Sequence, residues 1–358
     1  PNNEKSSYID ILNERPILIV GAPRSGTTLL RYILCSHPHI YIPPESNFIP
    51  RFFNKQPETQ LQPLEAKRIY QEILGYRVFF KDWHTEKLDP ETFISNLPDL
   101  YPRTILTALY KMYSQQYSSE RWGDKSPIYT EHLALLSQIF PSAQMIHIIR
   151  DGRDVALSML RSYRGSKFFY IDVCYAAHSW KRRVRQARSY GKTLGIDRYH
   201  EIRYEELVAN PTEVLSAICN FLGEAYEPSM AEPYKEAKAH FHSKGIHAAT
   251  RQPLTTKSVG RWQREMSEAD QRIFQAIASD LMNELGYQTT ELGKMSLAEK
   301  ARFAQLHAKY YMVDASRRTL LASGIFHPTS VIRSIKLPYP INRYRSSNKK
   351  NGRNLEKA

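Results

Sequence analysis

At 358 residues the chain can bury one large hydrophobic core or two smaller ones, and its 42% hydrophobic and 24% charged residues are ordinary for a globular enzyme. No apolar run approaches the roughly 20 residues that a membrane-spanning helix needs. The 50 Lys and Arg residues exceed the 36 Asp and Glu residues, which gives a net charge of +14. This charge favours an anionic partner, either a polyphosphate cofactor, an acidic substrate, nucleic acid or a lipid surface, without choosing among them.

The N-terminus and the cysteines bear on the cellular compartment. Residues 1–10 are polar and lack the apolar core of a signal peptide, and the sequence does not begin with Met. Cys35, Cys174 and Cys219 show no Cys-x-x-Cys spacing, so we expect reduced core thiols rather than a disulfide framework or a metal site. These features together predict a cytoplasmic protein.

The first strand–turn–helix unit begins with the apolar run ILIV at residues 17–20, which is typical of a strand buried on both faces. The glycine-rich turn GAPRSGTT follows at residues 21–28. Leucine and isoleucine residues between positions 29 and 34 are then spaced for one face of a helix, which the Ser-His-Pro sequence at 36–38 is expected to end.

Later segments repeat this alternation. A second apolar run at 145–149 leads into a helix, and a third strand candidate spans residues 199–204. The sequence Asn-Pro-Thr-Glu at 210–213 predicts a helix start, and another helix begins near Ser267. Strands that alternate with helices predict a parallel α/β sheet.

The turn at residues 21–28 predicts a phosphate-binding loop, because backbone N–H groups there, including those of Ser25 and Gly26, can converge on an anion at a helix N-terminus. Its spacing matches the nucleoside-triphosphate loop Gly-x-x-x-x-Gly-Lys-[Ser/Thr] except that Thr27 replaces the lysine. The one cation in the loop is Arg24. This pattern suits a 5′-phosphate that bears a leaving group better than a magnesium-bound triphosphate.

The sequence PRSGTTLL at residues 23–30, followed by Ser-His-Pro, resembles the 5′-phosphosulfate loop of the sulfotransferase family. The branch that it resembles most includes the tyrosylprotein sulfotransferases. The resemblance implies that Arg24 stabilises the leaving phosphate and that Thr27 and Thr28 hold it.

Other residues extend this resemblance to a nucleotide site. Arg150 ends the second strand, and Ser158 lies about two turns into the next helix, as in the family's 3′-phosphate site. Tyr204 resembles a family tyrosine near the adenine, although a core aromatic residue at a strand end would look the same. Lys257 and Arg261 belong to a segment that resembles the family's late basic segment, which folds over the cofactor.

The resemblance also implies catalytic residues. Glu45 lies in PPESNFIPR at residues 43–51, which is similar to the tyrosylprotein branch, where a glutamate acts as the base that removes the acceptor's proton. His84 and His37 are alternative bases, since histidine has this role in the cytosolic branch, although we expect His37 to cap or pack at the helix end. Lys125, on what the sequence suggests is a turn, resembles a family lysine that supports the bridging oxygen in the transition state.

The sequence departs from the tyrosylprotein branch at several positions. Ile42 and Gly123 replace cysteines near the catalytic glutamate and lysine, and Asn47 replaces an arginine that engages the peptide. These changes argue against a disulfide-bonded enzyme that acts on protein tyrosines. Residues 291–358 have no family counterpart, and their basic end could contact an acidic substrate, a partner or a membrane surface, although a solvated, disordered tail is the expectation.

The sequence therefore predicts a P-loop-type three-layer α/β fold, with a central parallel sheet flanked by helices. We expect an N-terminal segment at 1–14, a sulfotransferase domain at 15–290 and a helical C-terminal extension at 291–358. The predicted reaction is in-line, metal-free sulfuryl transfer from 3′-phosphoadenosine 5′-phosphosulfate (PAPS), which releases adenosine 3′,5′-bisphosphate (PAP). The acceptor could be a small molecule, glycan, lipid or peptide. The alternatives are an ATP-dependent kinase or NTPase, and a non-enzymatic binder of nucleotide or nucleic acid; no nucleic-acid motif is present.

Overall fold

The structure is a computed structural model that describes residues 14–54, 57–75, 88–162, 171–234 and 252–322, with side chains as far as residue 315. The chain divides into two compact units, residues 1–313 and 314–358. Most of the predicted N-terminal segment, the candidate base His84 and the basic C-terminal end lie outside the described residues.

Among the described residues, five parallel strands form the central sheet. They are β1 (Ile17–Val20), β2 (Ile40–Tyr41), β3 (Arg121–Lys125), β4 (Gln144–Ile149) and β5 (Tyr199–Arg203). Their order across the sheet is β2-β3-β1-β4-β5, so that Ile17 of the middle strand β1 is paired with Gly123 on one side and Gln144 on the other. This arrangement confirms the predicted α/β fold with a central parallel sheet.

Helices cover both faces of the sheet, which is why every residue of β1 is buried and apolar. Leu18 and Val20 belong to one hydrophobic cluster and Ile17 and Ile19 to another, as the alternation of side chains along a strand requires. The helices are α1 (Thr27–Cys35), α2 (Ile49–Phe53), α3 (Pro63–Leu74), α4 (Pro90–Ser95), α5 (Pro102–Ser114), α6 (Leu133–Ile139), α7 (Gly152–Ser162), α8 (Val173–Leu194), α9 (Tyr204–Ala209), α10 (Pro211–Leu222), α11 (Trp262–Glu265), α12 (Glu268–Glu284) and α13 (Leu297–Ala322).

Lys125 lies at the end of strand β3 and not on the turn that the sequence suggests. The sequence RWGDK has no apolar run, but Gly123 allows β3 to lie close to β1: a Cβ atom at Gly123 would stand 2.3 Å from the carbonyl oxygen of Ile17. Ile42 also lies against this glycine. Lys125 is therefore the last residue of a buried strand and is only 3% exposed.

Two helix starts agree with their sequence signals. Ser267 precedes α12, and its Oγ accepts a hydrogen bond from the backbone N–H of Asp270, at 3.2 Å. Asn210 precedes α10 as expected, although its side chain makes no capping hydrogen bond.

The C-terminal region begins with one continuous helix, α13, whose first part packs on the core of the larger unit through Phe303, Leu306 and Tyr310. The predicted division of the chain at residue 290 remains a prediction about the extent of the catalytic domain. Within the part of the chain that the structure describes, no helix is both long and apolar enough to cross a membrane.

The cysteines, all of which are described, form no disulfide. Cys174 and Cys219 are buried, and burial raises the pKa of Cys174 to about 12 and that of Cys219 to about 11. Cys35 is half-buried, and its Sγ lies 3.3 Å from the backbone nitrogen of Ile42. Cys174 and Cys219 are therefore the core thiols that the sequence predicts.

Candidate active site

A cleft of about 680 Å³ lies at the carboxyl ends of the strands, where parallel sheets place their ligands. Each of the five strands leads into it. The loop after β1 contributes Arg24, and the segments after β2 and β3 contribute Glu45 and Pro127. Arg150 follows β4, and Tyr204 follows β5.

Most of the predicted site residues line this one cleft, although they are distributed over more than 230 positions of the sequence. Ser25 and Lys125 do not line it; both are buried. The predicted residues that line the cleft are Arg24, Gly26, Thr27, Thr28, Glu45, Arg150, Ser158, Tyr204, Lys257 and Arg261.

The loop between β1 and α1 is held in a conformation that needs two left-handed residues. Arg24 has φ +72° and Gly26 has φ +102°, and the backbone N–H of Ser25 donates to the carbonyl of Ala22, at 3.1 Å. The aromatic ring of Tyr204 packs directly on Gly26, where a Cβ atom would stand 2.5 Å from it. Glycine is therefore required at this position for both its φ angle and its size.

The side chain of Arg24 contacts α7. Its Nε donates to Ser158 Oγ, at 3.1 Å. The sequence resemblance assigned Arg24 to the 5′-phosphate and Ser158 to the 3′-phosphate, and the structure brings the two side chains into contact.

Arg150 is buried beside the same loop. Its guanidinium lies 4.3 Å from the centre of the Tyr204 ring, and it donates to the carbonyls of Arg24 and Ser258, at 3.4 and 2.5 Å. Of the two acidic residues that follow it closely in the sequence, Asp154 lies 3.9 Å from its guanidinium. The other, Asp151, pairs with Arg153 instead.

The late basic segment is attached to α7 by Asp154, a contact that sequence reasoning missed. The Asp154 carboxylate accepts hydrogen bonds from the backbone N–H groups of Gly260 and Trp262, at 2.8 and 2.9 Å. Tyr204 adds a second attachment, because its hydroxyl lies 2.6 Å from Ser258 Oγ. Asp154 and Tyr204 thus hold the segment over the cleft.

The two cations predicted in this segment differ in their surroundings. Arg261 makes two hydrogen bonds to the Glu265 carboxylate, at 3.1 and 2.9 Å, so its charge is partly neutralised. Lys257 is exposed to solvent at the edge of the cleft. Both remain predicted phosphate contacts.

Glu45 and Lys125 form an ion pair beside the phosphate loop. The Lys125 amine also donates to Thr28 Oγ1, at 3.3 Å, so the pair is joined to the first turn of α1. Burial lowers the pKa of Lys125, and the Glu45 carboxylate opposes this shift. An amine that is buried in this way has little water to screen its charge, so its electrostatic effect on a nearby anion is strong.

Behind this pair lies a buried carboxylate that the sequence analysis did not single out. Asp124 precedes Lys125 in β3 and accepts hydrogen bonds from the hydroxyls of Ser46, Tyr110 and Ser126. Burial raises its pKa to about 6, although these hydrogen bonds and Lys125 lower it. The sequence RWGDK carries no signal for this buried carboxylate, because it has no apolar run that would mark it as a strand.

The two histidines that the sequence offers as alternative bases, His37 and His84, differ in what the structure describes. His37 is buried away from the cleft; its Nδ1 accepts from the backbone N–H of His39, and its Nε2 lies 3.0 Å from the carbonyl of Ala225. Both ring nitrogens are thus used in local contacts, which also argues against the grouping of His37, His39 and Glu224 as a metal site. His84 lies outside the described residues.

A larger depression, of about 830 Å³, lies elsewhere on the surface, and none of the predicted site residues lines it. Its buried cation, Arg153, is hydrogen-bonded to Asp151, at 3.0 and 2.7 Å, and lies over the ring of Trp262. The smaller strand-end cleft is therefore the better candidate for the active site.

The fold and the cleft define a P-loop-like α/β protein whose strand-end cleft is lined by arginine, lysine and hydroxyl side chains. A profile of the sulfotransferase family matches residues 16–228, which is more than half of the chain. The chain belongs to the sulfotransferase family.

Known proteins agree with this assignment. The chain is 25% identical over 235 residues to protein-tyrosine sulfotransferase 2 of Gallus gallus, a match that covers 62% of this chain and 57% of the relative. It is 27% identical over 257 residues to an uncharacterized protein of Aquifex aeolicus, covering 70% of this chain and 31% of that protein. The chain thus spans less than two thirds of these relatives. The sulfotransferase domain of the Synechococcus PCC 7002 olefin synthase has the same fold, with a TM-score of 0.54 and 23% identity, over 78% of this chain and 98% of that domain.

Proposed function

We propose that this protein transfers the sulfuryl group of PAPS to a hydroxyl or amine acceptor. The observation that carries the proposal is the contact between a carboxylate, a buried amine and the phosphate loop, formed by Glu45, Lys125 and Thr28. These groups are what direct transfer needs: a base for the acceptor's proton, a cation for the leaving oxygen and a holder for the phosphate.

The residues of the cleft fit an adenosine phosphosulfate. Arg150 lines the cleft, and its buried Nε has no hydrogen-bond partner among the described residues, so it retains a donor for an anion. Ser25 Oγ is also without a partner there, but Ser25 does not line the cleft. Gly26 lets the Tyr204 ring pack directly on the loop, which keeps Tyr204 at the wall of the cleft. Ser25, Thr27 and Thr28 would hold the 5′-phosphate, and Arg150 with Ser158 would hold the 3′-phosphate. Arg24 lies between these two groups.

When bound, PAPS supplies a sulfuryl group that is activated by a phosphate leaving group. In the proposed reaction Glu45 accepts the proton of the acceptor at its carboxylate while the acceptor's oxygen or nitrogen bonds to sulfur. Lys125 stabilises the negative charge that the leaving oxygen gains as its bond to sulfur breaks. Tyr204, Lys257 and Arg261 would hold the nucleotide within the cleft.

The alternative functions have less support. A kinase or NTPase would need a lysine at Thr27, which is the first residue of α1. A nucleic-acid binder would rest on the net charge alone, but several basic residues of α8 are paired with acidic residues, such as Arg182 with Glu131 and Arg188 with Glu201. Relatives named protein-tyrosine sulfotransferases make a tyrosine acceptor one candidate among small molecules, glycans, lipids and peptides. A cytoplasmic location stays a prediction.

Calorimetric titration of the protein with PAP, in parallel with ATP and magnesium, tests the donor. We expect metal-independent binding of PAP that Arg150→Ala weakens by about 10- to 100-fold, because a hydrogen bond to a charged group contributes about 1.5–3 kcal/mol. Arg185→Ala, which removes a surface arginine paired with Asp280, is the matched control and should leave affinity unchanged. A preference for magnesium-ATP, or no PAP binding, would overturn the proposal.

A further inference from the structure

Asp124 is the most deeply buried carboxylate next to the proposed catalytic pair. It is 1% exposed, and it lies in β3 directly before Lys125. One carboxylate oxygen accepts from the hydroxyls of Ser46 and Tyr110, and the other accepts from Ser126 Oγ at 2.8 Å. Such a carboxylate satisfies its acceptor capacity with donors from three segments of the chain.

The same network holds the turn that carries Glu45. Ser126 Oγ donates to Asp124 and accepts the backbone N–H groups of Ser46 and Asn47, each at 3.2 Å. Asn47 has φ +56°, a left-handed conformation that is unusual for a residue other than glycine and needs support from its surroundings. The residues that follow Glu45 are therefore hydrogen-bonded to the residues on either side of Lys125.

Two tyrosines enclose this network as hydroxyl donors. Tyr110 donates to Asp124, while the Tyr129 hydroxyl lies 2.6 Å from Ser46 Oγ. Burial and the charge of Asp124 raise the pKa of both tyrosines well above its ordinary value, so both remain protonated. Asp124 accepts from Ser46 and Tyr110 at one oxygen and from Ser126 at the other, and an amide has an acceptor oxygen at only one of these two positions.

We propose that Asp124 is a positioning residue that holds Glu45 against Lys125, and that it thereby governs turnover but not binding of the donor nucleotide. This inference rests on the proposed function, because it assumes that Glu45 and Lys125 are the catalytic pair. Asp124 does not line the cleft, and its hydrogen bonds are to Ser46, Tyr110 and Ser126; it acts on Glu45 through Ser46 and Ser126. Asp154, which fixes the late basic segment, is its counterpart on the nucleotide side of the cleft.

The test compares Asp124→Asn with Asp154→Asn, two equal substitutions of buried aspartates. Turnover is measured as the release of sulfate from radiolabelled PAPS with water as acceptor, and nucleotide affinity by calorimetry with PAP. We expect Asp124→Asn to lower kcat by about 10- to 100-fold, because a misplacement of about 1 Å can have that effect, and to change PAP affinity less than threefold. Asp154→Asn should weaken PAP affinity by about tenfold or more.

A second variant, Ser126→Ala, keeps the charge of Asp124 and removes its link to the two backbone N–H groups. It should also lower kcat with PAP affinity retained, and the double variant should be no slower than Asp124→Asn alone, since both changes break one connection. It also provides the test if Asp124→Asn does not fold. Fully additive losses in kcat, or loss of PAP affinity in step with kcat, would overturn the inference.

Glu45→Gln, measured in the same assay, distinguishes an error in the role of Asp124 from an error in the assignment of the base. If Glu45→Gln is inactive while Asp124→Asn turns over like the wild type, the positioning role is wrong and the proposed function stands. If Glu45→Gln retains full turnover, the assignment of the base is wrong, and the role of Asp124 is wrong with it.

Discussion

The amine of Lys125 and the carboxylate of Glu45 form an ion pair, although 80 positions separate the two residues in the sequence. Lys125 ends a buried strand and is 3% exposed at its side chain, whereas Glu45 lines the cleft and is 38% exposed. The buried cation is thus fixed, and the carboxylate is accessible to an acceptor. This asymmetry suits an amine that stabilises charge and a carboxylate that exchanges a proton.

Glu45→Gln should lower turnover of PAPS by about 10²- to 10⁴-fold, the usual contribution of a general base, while PAP affinity is retained. Sulfate release and calorimetry measure the two quantities. Glu91→Gln is the matched control, because it changes a carboxylate that also pairs with a lysine, Lys67, but on the surface. Unchanged turnover in Glu45→Gln would transfer the role of base to another residue, with His84 the first to replace.

Ser158→Ala should weaken PAP binding by roughly tenfold and leave the affinity for adenosine 5′-phosphate unchanged. The reason is that the proposed contact of Ser158 is with the 3′-phosphate, which only PAP has, and one hydrogen bond to a charged group contributes about 1.5 kcal/mol or more. Thr28→Val, which removes a hydroxyl at the 5′ end, should weaken both nucleotides. Equal losses for both nucleotides in Ser158→Ala would contradict the assignment of the 3′-phosphate site.

Gly26→Ala should destabilise the protein and abolish PAP binding. The new methyl group would stand 2.5 Å from the Tyr204 ring, at a φ of +102° that already costs a non-glycine residue about 1–2 kcal/mol. Gly223→Ala, at φ +78° with no atom within 4 Å of the new methyl group, carries the conformational cost alone. Urea unfolding and calorimetry compare the two variants, and equal losses of stability would show that the contact with Tyr204 is unimportant.

The free energy of unfolding of the wild type, measured relative to that of Asp124→Asn, should fall as the pH rises from about 4 to about 6. The pKa of Asp124 is raised from 3.8 to about 6 by burial, so the folded protein binds a proton in this range that the unfolded chain has released. The change should amount to about 3 kcal/mol at most, because one pKa unit corresponds to about 1.4 kcal/mol. Urea unfolding of both proteins across this range measures it, and a constant difference would mean that Asp124 has an ordinary pKa.

The phosphate loop illustrates what local sequence can predict. The apolar run at 17–20, the glycine-rich turn and the helix after it are contiguous, so their geometry follows from short-range sterics and from the burial of β1. The strands that lead to Arg150 and Tyr204 were predicted for the same reason. The predicted parallel sheet then implied that their carboxyl ends meet at one edge, as they do.

Strand β3 illustrates the limit of this reasoning. Its sequence has neither an apolar run nor an alternating pattern, and it is a strand because Gly123 lets it pack against Ile17 of β1. The buried Asp124 could not be recognised for the same reason: a carboxylate in RWGDK looks solvated until the hydroxyls of Ser46, Tyr110 and Ser126 are placed around it. Those donors come from segments up to 80 positions apart.

The sequence by itself determined the parallel α/β fold, the first strand–turn–helix unit and the family, because each is encoded in contiguous residues with a steric or chemical requirement of their own. Only the tertiary structure decided which distant side chains share an environment. It joined Arg24 to Ser158 and Glu45 to Lys125, and it removed His37 from the cleft by using both of its ring nitrogens. The physical reason is that burial and hydrogen-bond partners, which set the charge and orientation of these groups, depend on contacts that no local pattern specifies.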